Sequence, residues 1–204
     1  MPHLARPEEI GDAADVLAVA FHDDPLFAFM LRRASSRHRT LRTFFKAYLA
    51  VAVGAGRVTI DGDPIDGVAI WESPQAGSTS VSLRQIGPFL PLLATAYPAG
   101  LRRARPITNR TEAMHQTAAP GPHYYLDNLA VRAGSRGRGV AGRLVRPVVE
   151  RADRDGVPAY TDTVNPENVT IYQHLGFALV DTAEITGTGI TVFGLRHDPP
   201  ANLG

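Results

Sequence analysis

The stretch SRGRGVAGRL, Ser135 to Leu144, places three glycines within ten residues and can be read in two ways. As Gly137-x-Gly139-x-x-Gly142 it has the spacing of a dinucleotide turn; as Arg136-x-x-Gly139-x-Ala141 it is a pyrophosphate loop of another kind. Both readings share their physics. A glycine loop at a helix N-terminus points free backbone N–H groups and the positive end of the helix dipole at a phosphate. An anion site is therefore common to both.

The flanks supply the elements that such a loop needs. HYYLDNLAV reads as a strand before it. RGVAGRLVRPVVERADRDG reads as a helix after it, with Val140, Leu144 and Val148 at fourfold spacing on the inner face and Gly156 past the end. Pro147 removes one backbone hydrogen bond inside that helix, so a kink is expected. Asp162 lies twenty residues past Gly142, where a ribose-binding acid belongs in a dinucleotide site. Three features oppose that reading. Arg132 to Arg136 separate the strand from the first glycine, only one short helix and two strands follow Asp162, and the pattern sits two-thirds of the way along the chain instead of opening a domain.

Upstream, the pattern predicts a strand at His3 to Arg6 and a helix from Glu8 to Phe21 that HDDP, His22 to Pro25, stops. A second helix is expected from Arg37 to Val53, with Leu41, Phe44, Phe45, Tyr48, Leu49 and Ala52 on one side. RVTIDGD and DGVAIWESP alternate as a hairpin around Asp61-Gly62-Asp63-Pro64. Residues 80–122 are apolar and helical in pattern but interrupted by Pro88, Pro91, Pro98 and Pro106, which predicts short helices on the substrate side of one domain spanning 1–204. AYTDTV is a strand, NPENVTIYQHLG a short helix, and FALVDTAEI with GITVFGLRH are two closing strands.

Composition bounds the function. The chain has 204 residues, 44% hydrophobic and 20% charged, with no cysteine, so disulfide and thiolate chemistry is excluded. Its seven histidines lack metalloprotease spacing, and no metal site is expected. A net charge of +1 makes nonspecific nucleic-acid binding a poor default. The single lysine, Lys46, follows no glycine-rich loop, which removes a Walker-type ATPase. Acidic residues near the start and the lack of a long apolar run predict a cytoplasmic protein without membrane attachment; no sequence feature demands a dimer, and either a monomer or a homodimer is expected.

LAVRAGSRGRGVAGRLV resembles the central motif of the GNAT superfamily of acyl-CoA-dependent N-acetyltransferases, and NPENVTIYQHLGF resembles its next signature, an Asn-led helix with a tyrosine four residues before Gly-Phe. Within that superfamily AFHDDP, VAIWESP, the proline-rich middle, Pro147 and PAYTD are similar to the puromycin N-acetyltransferase-like branch. The resemblance implies a mixed α/β sheet splayed at the CoA-binding strand, acetyl-CoA as cofactor, and a small-molecule amine, such as an antibiotic or metabolite, as acceptor. It implies that Leu129, Ala130 and Val131 run beside the pantetheine arm, and that Arg136, Gly137, Arg138, Gly139, Val140, Ala141 and Gly142 hold the pyrophosphate. Side chains must stay small at Gly137, Gly139, Ala141 and Gly142 for the backbone to approach phosphate.

Acetyl transfer needs a neutral amine, a polarised thioester and a proton source for the leaving thiolate. Tyr172 matches the family's acid, since a phenol with a reference pKa of ~10 stays protonated at neutral pH. The base stays open: Asp127, Asp162, Glu72 and His123 each qualify, Asp127 ranks first, and Tyr125 stands where many relatives carry a glutamate. Asn165 and Asn168 either cap their helix or bind the CoA arm. His22, Asp23, Asp24, Trp71, Glu72, Tyr125 and Asp162 are the candidate acceptor-site residues. A non-catalytic acyl-CoA-binding module is the alternative function.

Overall fold

The computed structural model describes residues 1–74 and 98–200. Seven strands form one sheet: β1 (His3–Leu4), β2 (Val58–Asp61), β3 (Gly67–Glu72), β4 (Tyr124–Val131), β5 (Ala159–Thr163), β6 (Ala178–Ile185) and β7 (Ile190–His197), in the order β1-β2-β3-β4-β5-β7-β6. All neighbours are antiparallel except β4 and β5. The described helices are α1 (Ile10–Ala20), α2 (Pro25–Met30), α3 (Ala34–Gly54), α4 (Pro98–Ala118), α5 (Val140–Asp155) and α6 (Pro166–His174).

Strand β3 shows how the two sides are built. Its residues alternate between faces, and all six are buried. Val68 and Ile70 join Ala14 and Leu17 of α1 and Phe45 and Leu49 of α3 on one side. Ala69 and Trp71 join Val140, Leu144 and Val145 of α5 on the other. Gly67 opens the strand because a side chain there has no room: a Cβ would lie 2.5 Å from Val140 Cγ1. Helix α4 closes the far end, where Ile107 and Met114 pack with Ile185, Ile190 and Val192.

Several expected elements take a different form. The segment from 98 onward is one helix of 21 residues that contains Pro106, not a series of short helices; 75–97, with Pro88 and Pro91, lie outside the described residues. Helix α2 was not expected: Asp24 caps it by accepting from Leu26 N (3.0 Å) and Phe27 N (3.3 Å), and Pro25 occupies its first turn. On α5 the buried stripe runs through Val140, Leu144, Val145, Val149 and Ala152, so Val148 is flanking, not central. The helix ends at Gly156, left-handed with φ 66°, as a C-terminal glycine should. Among the described residues no helix is long and apolar enough to cross a membrane.

Candidate functional site

The site follows from how β4 and β5 part. These parallel strands are bridged at Tyr124 with Ala159, Tyr125 with Tyr160 and Leu126 with Thr161, and at no later pair. From Asp127 to Val131, β4 keeps β3 on one side while, among the described residues, its other edge has no strand. That edge carries backbone N–H and C=O groups free to hydrogen-bond an extended ligand. On the opposite edge of β4, the register with β3 jumps from Ile70–Asn128 to Trp71–Leu126, leaving Asp127 as a bulge. The bulge changes the phase of the strand: Leu126 packs beneath α5, whereas Ala130, four residues on, packs with α1 and α3. Without it the two would share a face.

Beyond β4 the chain makes a short 3-10 turn, Ala133–Ser135, and enters the glycine loop. Gly137 and Gly139 have φ of 74° and 75°, values that an L side chain resists, and Gly139 is the N-cap of α5. Gly142 lies within the first turn, where a Cβ would meet only the Arg146 side chain at 3.6 Å, so room for protein atoms does not explain that glycine. The loop is tied to the β2–β3 hairpin. Arg132 Nε donates to Ile65 O (2.9 Å), Ser135 Oγ donates to Asp66, and Arg143 bridges the buried Asp61 (Nε–Oδ2 2.8 Å) to the carbonyl of Arg138 (2.9 Å). A half-open cavity of about 100 Å³ adjoins it, lined by Asp15, Val16, Val19 and Ala20 of α1 and by Val131, Arg132, Ala133 and Arg136. With an unbridged strand edge, a fixed left-handed loop and a helix N-terminus in line, these residues fit an elongated ligand that carries a pyrophosphate.

Two groups of side chains flank the fork, one on each face of the sheet. Beneath α5 and α6 are Trp71, Leu126 and Tyr172. Tyr172 is buried and stands edge-on to Phe177, ring centroids 6.1 Å apart. Burial pushes its hydroxyl up to about 12; Thr161 opposes the shift, while Asp162 and Asp24 add to it. Among the described residues the buried Trp71 Nε1 has no hydrogen-bond partner. Asn165 caps α6 by accepting from Glu167 N (3.1 Å), and Asn168 Nδ2 donates to Thr163 Oγ1 (3.2 Å).

The other face is acidic and phenolic. Asp127 accepts from the Tyr48 hydroxyl of α3 and from Asn128 Nδ2 at 2.8 Å. Asp162 accepts from the Tyr125 hydroxyl at 3.0 Å. Glu72 is buried and paired with Arg57 at 3.0 Å. Burial raises all three carboxyls: Asp127 upward against its two hydrogen bonds, Asp162 to about 7 with Tyr125 opposing and Asp127 adding, and Glu72 to about 8, the guanidinium notwithstanding. Alongside, His115 of α4 stacks on Tyr160 (4.6 Å) and meets His123 at 2.6 Å between Nε2 atoms. Because His123 Nδ1 donates to Gly121 O (2.7 Å), its Nε2 is the acceptor from His115. Burial and His123 push His115 down to about 4, so that ring is neutral at pH 7.

Of the residues expected in the acceptor pocket, Tyr125, Asp162 and Glu72 do meet, on the same face as Asp127. Trp71 faces away from them, because neighbours on a strand point to opposite sides. Asp24 is committed to capping α2, and exposed Asp23 holds His22 Nδ1 (2.9 Å) and Arg37 (3.5 Å). Reading the sequence did not single out Tyr48 or Arg57. Tyr48 belongs to the apolar stripe of α3, and nothing local marks which hydroxyl in such a stripe reaches a carboxylate 79 positions away.

Comparison with known proteins accords with this geometry. Residues 80–177 match the Acetyltransferase (GNAT) family. An uncharacterized N-acetyltransferase of Schizosaccharomyces pombe is 25% identical over 183 residues, covering 85% of this chain and 72% of that protein. Among solved structures, a Corynebacterium glutamicum protein described as histone acetyltransferase HPA2 and related acetyltransferase aligns with a TM-score of 0.70 at 21% identity, over 100% of this chain and 98% of its own. Arylalkylamine N-acetyltransferase 2 from Aedes aegypti aligns with a TM-score of 0.67 at 15% identity, over 97% and 98%. The splayed mixed sheet is thus the GNAT fold, and family match and architecture together support a GNAT superfamily acetyltransferase.

Proposed function

We propose that this protein transfers acetyl directly from acetyl-CoA to a primary amine of a small molecule, in the cytoplasm. The observation that carries the reading is the fork itself: β4 loses β5 at Leu126, and its free edge leads straight to the left-handed glycines at the start of α5. Leu129, Ala130 and Val131 would hold the pantetheine arm through their backbone, and the N–H groups from Arg136 to Gly142 the pyrophosphate. When bound there, acetyl-CoA would supply a thioester to the neutral amine: a C–N and an S–H bond form, a C–S and an N–H bond break, and the proton lost from nitrogen replaces the one given to sulfur.

The chain's own residues divide the proton work by face. Tyr172, protonated throughout the neutral range, is the donor for the leaving sulfur. Across the sheet, the carboxyls of Asp127 and Asp162, with Arg57 held by Glu72, favour an acceptor that arrives as a cation. An arylalkylamine acetyltransferase among the similar structures supports an amine as acceptor. The stretches AFHDDP, VAIWESP and PAYTD support a place near the puromycin N-acetyltransferase-like branch, and hence an antibiotic or metabolite amine.

Thermal unfolding with acetyl-CoA and NAD in parallel tests the cofactor. A ligand at 100 times its dissociation constant adds about 2.7 kcal/mol to native stability. Acetyl-CoA is expected to raise the Tm and NAD to leave it unchanged; the reverse would return the loop to its dinucleotide reading. Turnover is then followed by a thiol reagent, which in a chain without cysteine detects CoA alone. Binding without thiol release from any of a broad set of amines would instead mark a non-catalytic acyl-CoA-binding module.

A further inference from the structure

Where β4 and β5 part, each strand presents a carboxylate to the same face. The last bridged pair is Leu126 with Thr161, and the next residues are Asp127 and Asp162, one on each arm of the fork. Asp127 follows Tyr125 by two residues and accepts from Tyr48 of α3, and Asp162 follows Tyr160 by two residues, so both share the face on which Tyr160 and Tyr125 meet.

Their surroundings differ. Asp127 has two hydrogen-bond donors and the positive potential of Arg57. Among the described residues Asp162 has one donor, Tyr125, and the other groups acting on it are acidic or phenolic: Asp127 from β4, Glu112 from α4, Tyr172 from α6 and Tyr160 on its own strand. His115, beside Tyr160, is neutral. Hydrogen bonds to an ionised carboxylate favour ionisation, and two carboxylates sharing a site split their affinities for a proton. Asp127 is thus the carboxylate that ionises first, and Asp162 the one that binds and gives up a proton.

We propose that Asp162 takes the proton of the acceptor ammonium at the fork, that Asp127 holds the ammonium there by its charge, and that Tyr125 positions Asp162. The proposal rests on the acetyl-transfer reading and names its acceptor class: small amines that arrive as cations and carry no carboxylate beside the nitrogen. In the step, one N–H bond of the ammonium breaks, an O–H bond forms on Asp162, and the nitrogen is left with its lone pair. Asp162 returns the proton to water once the amide departs. A free α-amino acid would bring a third carboxylate against the two at the fork.

The test compares 2-phenylethylamine and 1,4-diaminobutane with phenylalanine, which differs from the first by its carboxylate, using acetyl-CoA and thiol release. At least one of the two amines is expected to exceed phenylalanine a hundredfold or more in kcat/KM. Asp162→Asn should lower kcat about a hundredfold with little change in KM, within the range that proton transfer contributes. Asp127→Asn should raise KM. It should also move the rising limb of the kcat–pH profile to lower pH, because its charge no longer opposes ionisation of Asp162. Tyr125→Phe should move that limb to higher pH, because a hydrogen bond to the ionised form is lost. Retention of the wild-type kcat and limb in Asp162→Asn overturns the proposal, as do limbs that move in the same direction in the other two variants. If neither amine releases CoA, acetyl transfer to cationic amines fails and takes the proposal with it. Independently of turnover, NMR of protein labelled with 13C at its aspartate carboxyls should show a resonance that titrates near neutrality and vanishes in Asp162→Asn, in spectra that also report whether that variant is folded. Should every aspartate titrate below pH 5, the proposal is wrong even if acetyl transfer stands.

Discussion

At Tyr172 two needs compete, since a buried phenol costs desolvation but a proton donor must stay protonated, and burial here serves the second. With its hydroxyl pushed up to about 12, the residue imposes no loss of activity in the ordinary alkaline range. Tyr172→Phe keeps the ring against Phe177 and removes only the oxygen. Its expected outcome is a fall in kcat of about a hundredfold with CoA affinity by calorimetry unchanged; equal turnover would assign the donor elsewhere. Tyr172 was legible in the sequence because its spacing to Gly176 and Phe177 is fixed by one short helix. Asp24 caps α2 and Trp71 faces away from Glu72, for reasons also present in the sequence. An aspartate directly before proline is a helix cap in waiting, and two adjacent strand residues, Trp71 and Glu72, cannot line one pocket. What no local pattern held was the partner of each carboxylate, because Tyr48, Arg57 and Tyr125 reach Asp127, Glu72 and Asp162 across 79, 15 and 37 positions.

At the scale of elements, β3, the end of β4 and the first turn of α5 act as one unit that holds the loop. Gly139→Ala puts a side chain at φ 75°, which costs about 1–2 kcal/mol where the left-handed conformation is kept. Because Gly139 caps α5 and lies in the phosphate loop, the variant should bind CoA at least tenfold more weakly while urea unfolding shows only the smaller loss. Gly67→Ala acts from the other side of the same unit. Its Cβ would lie 2.5 Å from Val140 Cγ1 and 2.9 Å from Leu144 Cδ1, so α5 has to shift outward, at about 1–3 kcal/mol for an overpacked site. A lower urea midpoint with an unchanged slope checks it. The strand–loop–helix order of this unit was readable because alternation and glycine placement are local signals. Helix α4 was not, since Pro106 reads as a breaker, yet contacts of Ile107 and Met114 with β6 and β7 outweigh one lost hydrogen bond. Helix α2 escaped because its six residues are too few for a periodic pattern, and its C-terminal carbonyls at Phe29 and Met30 are satisfied by Arg103 from far along the chain.

For the molecule as a whole, the acidic face of the fork makes stability depend on pH with a definite sign. Asp162 rises from 3.8 to about 7 and Glu72 from 4.5 to about 8, both chiefly through burial, so the folded state holds protons that the unfolded chain has already released. Stability tied to such groups is complete below their unfolded values and is lost as pH climbs through the folded ones. His197 is raised through its hydrogen bond to Asp153 and adds to the same trend above 6.5. His115, depressed from 6.5 to about 4, acts in the opposite sense, but only below 6.5, where it resists protonation in the folded state. Between about 4 and 6.5 the contributions oppose one another; above 6.5 those of Asp162, Glu72 and His197 align. The Tm should therefore fall as pH rises from 6.5 through 8, in contrast to a protein whose buried acids are fully paired. Scanning calorimetry of the wild type and Glu72→Gln checks this, since removing an acid that titrates at about 8 should flatten the upper part of the decline, and a parallel decline in both proteins would place its origin outside Glu72.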